Sequence, residues 1–196
     1  MPDFWLYFQI GLKHVLDLGG YDHVMFLMAL TVPYSFKDWR NVLLLATLFT
    51  IGHTLSLILS VYGVVRINST FVEFLIPVTI LITALYNIIT SGKKAAKTQS
   101  INFVAFTTLF FGIIHGLGFS NYFKIIINND SDSKLAPLLE FALGIEAAQL
   151  IVVLTVLVLS FIMQGALKVQ RRDWLLVTSA FVAGVVLPMI ISAEIW

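Results

Sequence analysis

The sequence contains no cysteine among its 196 residues. Disulfide bonds, thiolate metal sites and a cysteine nucleophile are therefore excluded, and any bound metal must be held by nitrogen and oxygen atoms. Charge is also scarce, since Asp, Glu, Lys and Arg make up only 12% of the residues and the formal net charge is +1. Such a chain has no strongly basic face, so we expect no nucleic-acid partner.

Apolar side chains dominate instead, at 59% of the residues with a mean hydropathy of +0.93. This content predicts an integral membrane protein. A helix needs roughly 20 apolar residues to cross the hydrocarbon core, and five segments meet that length: 41–62, 71–91, 101–127, 138–163 and 174–195. A sixth apolar segment, 22–33, would reach only about 18 Å.

The apolar segment 22–33 is preceded by a short segment that has one polar face. Residues 3–18 are apolar on most of their surface, but Lys13, His14 and Asp17 are three and four residues apart and so share one helical face. The Gly19-Gly20 pair that follows predicts a break in the helix. We therefore predict an N-terminal half-helix that ends at this pair.

The fold class that we predict is all-α, a polytopic transmembrane helical bundle with about six spanning helices plus the N-terminal half-helix. We expect a single transmembrane domain over residues 1–196. The first residues lack the basic region of a secretory signal peptide, so we expect no removable leader.

Basic residues in short loops predict the orientation of the bundle, because such loops stay in the cytoplasm. Three loops, at 34–40, 92–100 and 164–173, contain eight of the 12 basic residues. These are Lys37, Arg40, Lys93, Lys94, Lys97, Lys168, Arg171 and Arg172. We therefore expect both termini on the outer side of the membrane.

All four histidines lie within or at the edge of apolar segments, where ionisable groups are costly and usually functional. With this orientation, His53 and His115 lie about 18 and 21 Å above the cytoplasmic end of their helices. The break at Gly19-Gly20 lets residues on either side of it face one point. We predict a metal site in the outer half of the membrane, with the candidate ligands His14, Asp22, His23, His53, His115 and Glu146. For any single histidine, an interhelical hydrogen bond is an equal alternative.

Other polar residues are candidates for supporting roles. Thr50 and Ser56 lie three residues before and after His53, where their hydroxyls could orient its ring, and Gln149 lies one turn from Glu146. Asp17 is a lower-ranked ligand, because pairing with Lys13 explains it equally well. Glu73 is a candidate too, although a carboxylate at a helix start has an electrostatic explanation.

Five motifs, in the order "GLKHVLDLGGYDHVMFLMAL", "FTIGHTLSL", "VEFLIPVTI", "FFGIIHGLGFS" and "FALGIEAAQL", resemble those of the HupE/UreJ family. The resemblance spans about residues 10–155. It implies a small polytopic protein of a bacterial inner membrane that serves as a permease for nickel or another divalent metal. The positions that match are His14, Asp22, His23, His53, Glu73, His115, Glu146 and Gln149.

Three functions remain open at this point, all of which use a divalent transition metal, Zn, Ni, Fe or Co. The first is metal transport or handling, in which successive sites pass the ion inward. The second is a metal-dependent intramembrane hydrolase with a resident zinc or di-metal centre. The third is a structural metal that pins helices. We favour a protein that is not an enzyme, and we leave open whether it forms a homo-oligomer in the lipid bilayer.

Overall fold

The computed structural model describes residues 2–17, 19–92, 101–127 and 134–193. Within these ranges it contains seven α-helices and no strand. The helices are α1 (Pro2–Leu16), α2 (Asp22–Thr31), α3 (Trp39–Val61), α4 (Ser69–Thr90), α5 (Ile101–Ile126), α6 (Leu135–Gly165) and α7 (Arg171–Ile191). A short 3₁₀ helix, Phe36–Asp38, leads directly into α3. The predicted all-helical membrane bundle is confirmed.

Five helices, α3 to α7, are long and apolar enough to cross a membrane. They coincide with the five segments that hydropathy predicts. The sixth segment forms the 10-residue helix α2, which is only about 15 Å long. Helix α2 packs against α4, α6 and α7 and buries seven of its residues. Neighbouring helices therefore enclose it, and it does not have to match the thickness of the bilayer by itself.

The chain breaks between α1 and α2 at the predicted glycine pair. Helix α1 ends at Leu16, and the exposed Asp17 carboxylate accepts a hydrogen bond of 2.9 Å from the backbone N–H of Gly19. Helix α2 then begins at Asp22. The side chain of Asp17 thus stabilises the turn that separates the two helices.

Glycines allow two pairs of helices to pack at a short interhelical distance. Any side chain at Gly11 of α1 would overlap the carbonyl oxygen of Phe141 in α6, and Gly144 of α6 stands in the same relation to Phe8. In the pair α3 and α5 the glycines in close contact are Gly52, Gly112 and Gly116. Small residues let membrane helices approach at backbone distance, and the glycines on either side of His115, Gly112 and Gly116, therefore let α5 pack closely against α3.

Two apolar clusters fill the bundle. One joins α1 and α6 with parts of α3 and α5, and the other joins α2, α4 and α7 with parts of α3 and α5.

The predicted cytoplasmic turns after α2 and α6 lie at the same end of the bundle, because Arg171 donates a hydrogen bond of 2.5 Å to the carbonyl oxygen of Pro33. Three basic residues used in the orientation prediction, Lys93, Lys94 and Lys97, lie outside the described residues.

Candidate metal centre

Four helices bring the four histidines together between the two apolar clusters. The ring centre of His14 lies 4.6 Å from that of His23 and 5.8 Å from that of His53, and the rings of His23 and His53 are also 5.8 Å apart. One ligand atom from each of these three lies within 4.8 Å of the others. His115 contacts His23, with ring centres 5.3 Å apart.

These separations match the geometry of a shared ion. A metal such as zinc lies 2.0–2.1 Å from an imidazole nitrogen, and tetrahedral ligands around it would have ring centres about 5 Å apart. The trio of His14, His23 and His53 lies near this spacing from three separate helices. Only small side-chain movements would bring three nitrogen atoms onto one ion.

Hydrogen bonds at Nδ1 fix the orientation of two of the rings, those of His23 and His115, and leave Nε2 without a hydrogen-bond partner. Nδ1 of His23 donates to the Asp22 carboxylate at 3.0 Å, and the same oxygen accepts the backbone N–H of His23 at 2.8 Å. Nδ1 of His115 donates to the carbonyl oxygen of Phe111 at 2.8 Å. Because Nδ1 carries the proton in both, each Nε2 presents a lone pair. A carboxylate behind an imidazole is the usual second partner of a metal-bound histidine.

Several ring nitrogens of the four histidines have no hydrogen-bond partner in the part of the chain that the structure describes. They are Nε2 of His14, His23 and His115 and both ring nitrogens of His53. Leaving a buried polar group unpaired costs about 1–3 kcal/mol. Several such atoms at one point are rare in stable proteins and require an explanation. A bound metal ion, which accepts lone pairs from nitrogen, would provide this explanation.

Phenylalanine rings surround the histidines and keep the site apolar. The ring centre of Phe119 lies 3.9 Å from that of His14, and Phe49 lies 5.0 Å from His115. Phe141 contacts both His14 and His53. These aromatic walls were not identified from the sequence, because regularly spaced phenylalanines in a membrane helix look the same whether they face lipid or a site.

Asp22 and Glu146 were both predicted as ligands, and the structure gives each another partner. Asp22 bonds to His23 as described above. Glu146 accepts hydrogen bonds from the hydroxyls of Thr47 at 2.7 Å and Thr50 at 2.5 Å. Gln149 joins them by donating to the Thr50 oxygen at 3.0 Å. We call Thr47, Thr50, Glu146 and Gln149 the carboxylate cluster.

The remaining predicted residues lie away from the histidine rings. Asp17 is exposed and caps the turn at Gly19, and Glu73 is exposed near the start of α4. The Ser56 hydroxyl donates to the backbone carbonyl of His53 at 2.9 Å, so it does not orient the ring. Thr47 was not predicted to belong to a site, and only its spacing of three residues from Thr50 could have indicated it.

Comparison with known proteins gives one result. No curated protein and no solved structure is significantly similar to this chain. A family model described as "HupE / UreJ protein" matches residues 1–193, which is essentially the whole chain. The motifs that resemble this family include the residues that form the histidine group. The chain therefore belongs to the HupE/UreJ family.

Proposed function

We propose that this protein binds a divalent transition-metal ion at His14, His23 and His53 and carries it across the membrane. The observation that supports this best is the convergence of three imidazoles, two buried and that of His14 half-buried, whose unpartnered nitrogens come from three different helices. Membership of the HupE/UreJ family adds a second, independent argument for metal handling.

The donor atoms limit which ion can bind. Neutral imidazole nitrogens suit Ni, Co, Zn and Fe, whereas Mg and Ca require a shell of oxygen ligands. The Asp22 carboxylate lies behind His23, where its negative charge offsets part of the charge of the ion. We infer a site selective for late first-row divalent metals.

His115 supplies the next step of the proposed path. Its unpartnered Nε2 belongs to a ring beside His23, whereas its ring is not part of the group of three. Transport requires successive sites of moderate affinity rather than one very tight site. In our proposal the ion enters at the outer side, is held by the trio, exchanges onto His115 at a similar depth, and then leaves towards the cytoplasmic ends of α3 and α5.

Protons compete with the ion at every one of these ligands. An imidazole binds a metal only in its neutral form, so protonation favours release. We therefore propose that a pH difference across the membrane biases the direction of metal movement.

A metal-dependent hydrolase is the second candidate, and one observation favours it. Three histidine ligands leave a coordination position open, which is the arrangement of catalytic zinc sites. A zinc ion held there would supply a bound water of lowered pKa. Purified protein that retains zinc through prolonged chelator dialysis, and shows no uptake in vesicles, would favour this candidate over transport.

Uptake by proteoliposomes tests the main proposal. Vesicles containing the purified protein should accumulate Ni²⁺ or Zn²⁺ under a pH gradient, and His53→Ala should abolish this accumulation. Glu73→Gln serves as the matched control, because Glu73 is an exposed ionisable residue outside the histidine group. Binding without uptake would rule out transport, and unchanged metal content in His53→Ala would rule out the shared centre.

A further inference from the structure

The carboxylate cluster is a second group of polar residues within the bundle, with Thr50 and Gln149 buried and Thr47 and Glu146 half-buried, and the proposed metal path does not use it. It lies between α3 and α6, with Thr50 one turn before His53 on α3. Its members bond to one another, and none of them belongs to the group of three potential histidine ligands. The cluster therefore needs its own explanation.

The charge of Glu146 is the first argument. The carboxylate lies mid-helix in a membrane-spanning segment, where an unpaired charge costs several kcal/mol. Across the described ranges, no lysine, arginine or histidine forms an ion pair with it. Two hydroxyl groups donate hydrogen bonds to the carboxylate, but hydroxyls carry no charge that could offset the negative charge of an ionised carboxylate. A bound cation would neutralise it.

The donor atoms are the second argument. The cluster offers two carboxylate oxygens, two hydroxyl oxygens and the amide oxygen of Gln149. Gln149 is fully buried, and its Oε1 has no hydrogen-bond partner in the described chain. A set made only of oxygen atoms suits hard cations and contrasts with the nitrogen-rich histidine group. The unpartnered amide oxygen marks where one ligand to such a cation is missing its contact.

The hydrogen bonds can rearrange to admit an ion. The hydroxyl of Thr50 lies 3.3 Å from the carbonyl oxygen of Ala46, so its proton has a second acceptor within its own helix. Hydroxyls of threonine commonly bond back to such carbonyls in helices. If Thr50 turns its proton to Ala46, one lone pair of its oxygen still accepts from Gln149, and the other becomes available together with a carboxylate oxygen of Glu146.

We propose that Thr47, Thr50, Glu146 and Gln149 form a second cation site that takes a hard monovalent cation, sodium or potassium. A monovalent ion leaves the site neutral, whereas a divalent ion would leave a net positive charge in apolar surroundings. Since the oxygens are already hydrogen-bonded to one another, binding must displace those bonds, and we expect millimolar affinity. This site does not depend on the proposed metal transport, because alkali-ion binding is measurable on the protein without a transition metal.

Thermal unfolding in detergent tests the site. The purified protein, stripped of transition metals, is heated in sodium chloride, in potassium chloride and in N-methylglucamine chloride at equal ionic strength. A cation that binds only the folded state stabilises it by RT ln(1 + L/Kd), where L is the cation concentration, and so raises Tm. We expect sodium or potassium to raise Tm by about 2–5 °C over the organic cation.

Two variants assign this effect to the cluster. Glu146→Gln removes the charge at nearly constant volume and should abolish the alkali-dependent rise, and Thr47→Val should reduce it. Glu73→Gln is the control and should keep the full rise. If Glu146→Gln does not fold, Thr47→Val and the comparison of salts on the unaltered protein still decide the question.

The outcomes separate the two proposals. An unaltered protein with the same Tm in all three salts would overturn the cation site. An equal rise in Glu146→Gln would also overturn it. Loss of transition-metal binding in the histidine variants, or its absence from the unaltered protein, bears only on the metal centre.

Discussion

The histidine group and the carboxylate cluster lie one helical turn apart on α3, yet their polar atoms are partnered in different ways. The inward-facing nitrogens of the histidines have no hydrogen-bond partner, whereas the carboxylate cluster satisfies its own groups except for the Gln149 amide oxygen. Both lie within the same apolar bundle. In our two proposals, the difference follows from the kind of ion that each cluster binds.

The two clusters should bind their ligands with different strengths, because the histidine nitrogens have no hydrogen-bond partner whereas most groups of the carboxylate cluster already have one. A ligand at the histidines gains interactions without breaking any, since their inward nitrogens bond to nothing else in the described structure. A ligand at the carboxylate cluster must displace hydrogen bonds first. We therefore expect tight binding of a transition metal at the first site and weak binding of an alkali ion at the second.

The largest effect should follow from removing a central ligand. His53→Ala leaves two members of the trio and is expected to lower metal content to near zero after desalting, as measured by elemental analysis. The alkali-dependent rise in Tm should persist, because Glu146 and both threonines are unchanged. Loss of both properties together would indicate that the two clusters act as one site.

The next prediction concerns the close contact between the backbones of α3 and α5 beside the histidine group. A methyl group at Gly116 would overlap the carbonyl oxygen of His53 and the Ser56 hydroxyl. We expect Gly116→Ala to push α5 away from α3, lower the unfolding free energy by about 1–3 kcal/mol and weaken metal binding. Chemical or thermal unfolding with and without metal would measure it.

The control for that variant is Gly184→Ala. Gly184 lies in α7, and a side chain there would have nothing within 4 Å. It should be neutral or slightly stabilising, since alanine favours a helix over glycine. Equal destabilisation by the two variants would contradict the packing argument.

A smaller effect is expected at the partner of His23. Asp22→Asn keeps the shape of the side chain but removes the charge behind the ring, and such outer partners typically contribute a factor of 10–100 in metal affinity. Competition with a chromophoric chelator would measure the change. Asp17→Asn is the matched control, because Asp17 is exposed and bonds only to the turn at Gly19.

Acidification should weaken metal binding at the histidines. A histidine binds a metal through its neutral imidazole, so the affinity should fall as the pH is lowered. The sign follows because protons and metal compete for the same lone pairs. Titrations of metal affinity at pH 8, 7 and 6 would check it, and an affinity that rises on acidification would contradict histidine ligation.

Thr47→Val should give the smallest effect of the series. It deletes one hydroxyl from the carboxylate cluster at nearly constant shape, so the alkali-dependent rise in Tm should shrink by about a degree or two. Metal affinity should not change. A loss of metal binding in this variant would mean that Glu146 belongs with the histidines after all.

Hydropathy and residue spacing predicted most of the architecture. The five spanning helices, the short α2 and the break at Gly19-Gly20 follow from local features: the length of an apolar run and the flexibility of glycine. The convergence of the histidines was also predictable in outline. Buried ionisable residues are so costly in a membrane that several of them at similar depth are expected to meet.

The partners of the carboxylates could not be predicted in the same way. The orientation that we predict from the basic loops puts Glu146 in the outer half of the bilayer along with the histidines, but depth does not give the direction in which α6 turns its side chains. The position of Gly144 against Phe8 of α1 fixes that direction, and Glu146 then meets Thr47 and Thr50. Spacing along one helix likewise placed Ser56 beside His53 without showing that its hydroxyl bonds to the backbone.

Apolar runs and glycine breaks along the chain were thus enough to decide how many helices form, where they end and which residue types lie at membrane depth. Those properties depend on short stretches and on the cost of exposing polar groups to hydrocarbon. Which polar groups pair, and which nitrogens remain without a partner, was decided only when α1, α2, α3, α5 and α6 packed together. Hydrogen bonds require a few tenths of an ångström of precision between helices, and only the close glycine contacts supply it.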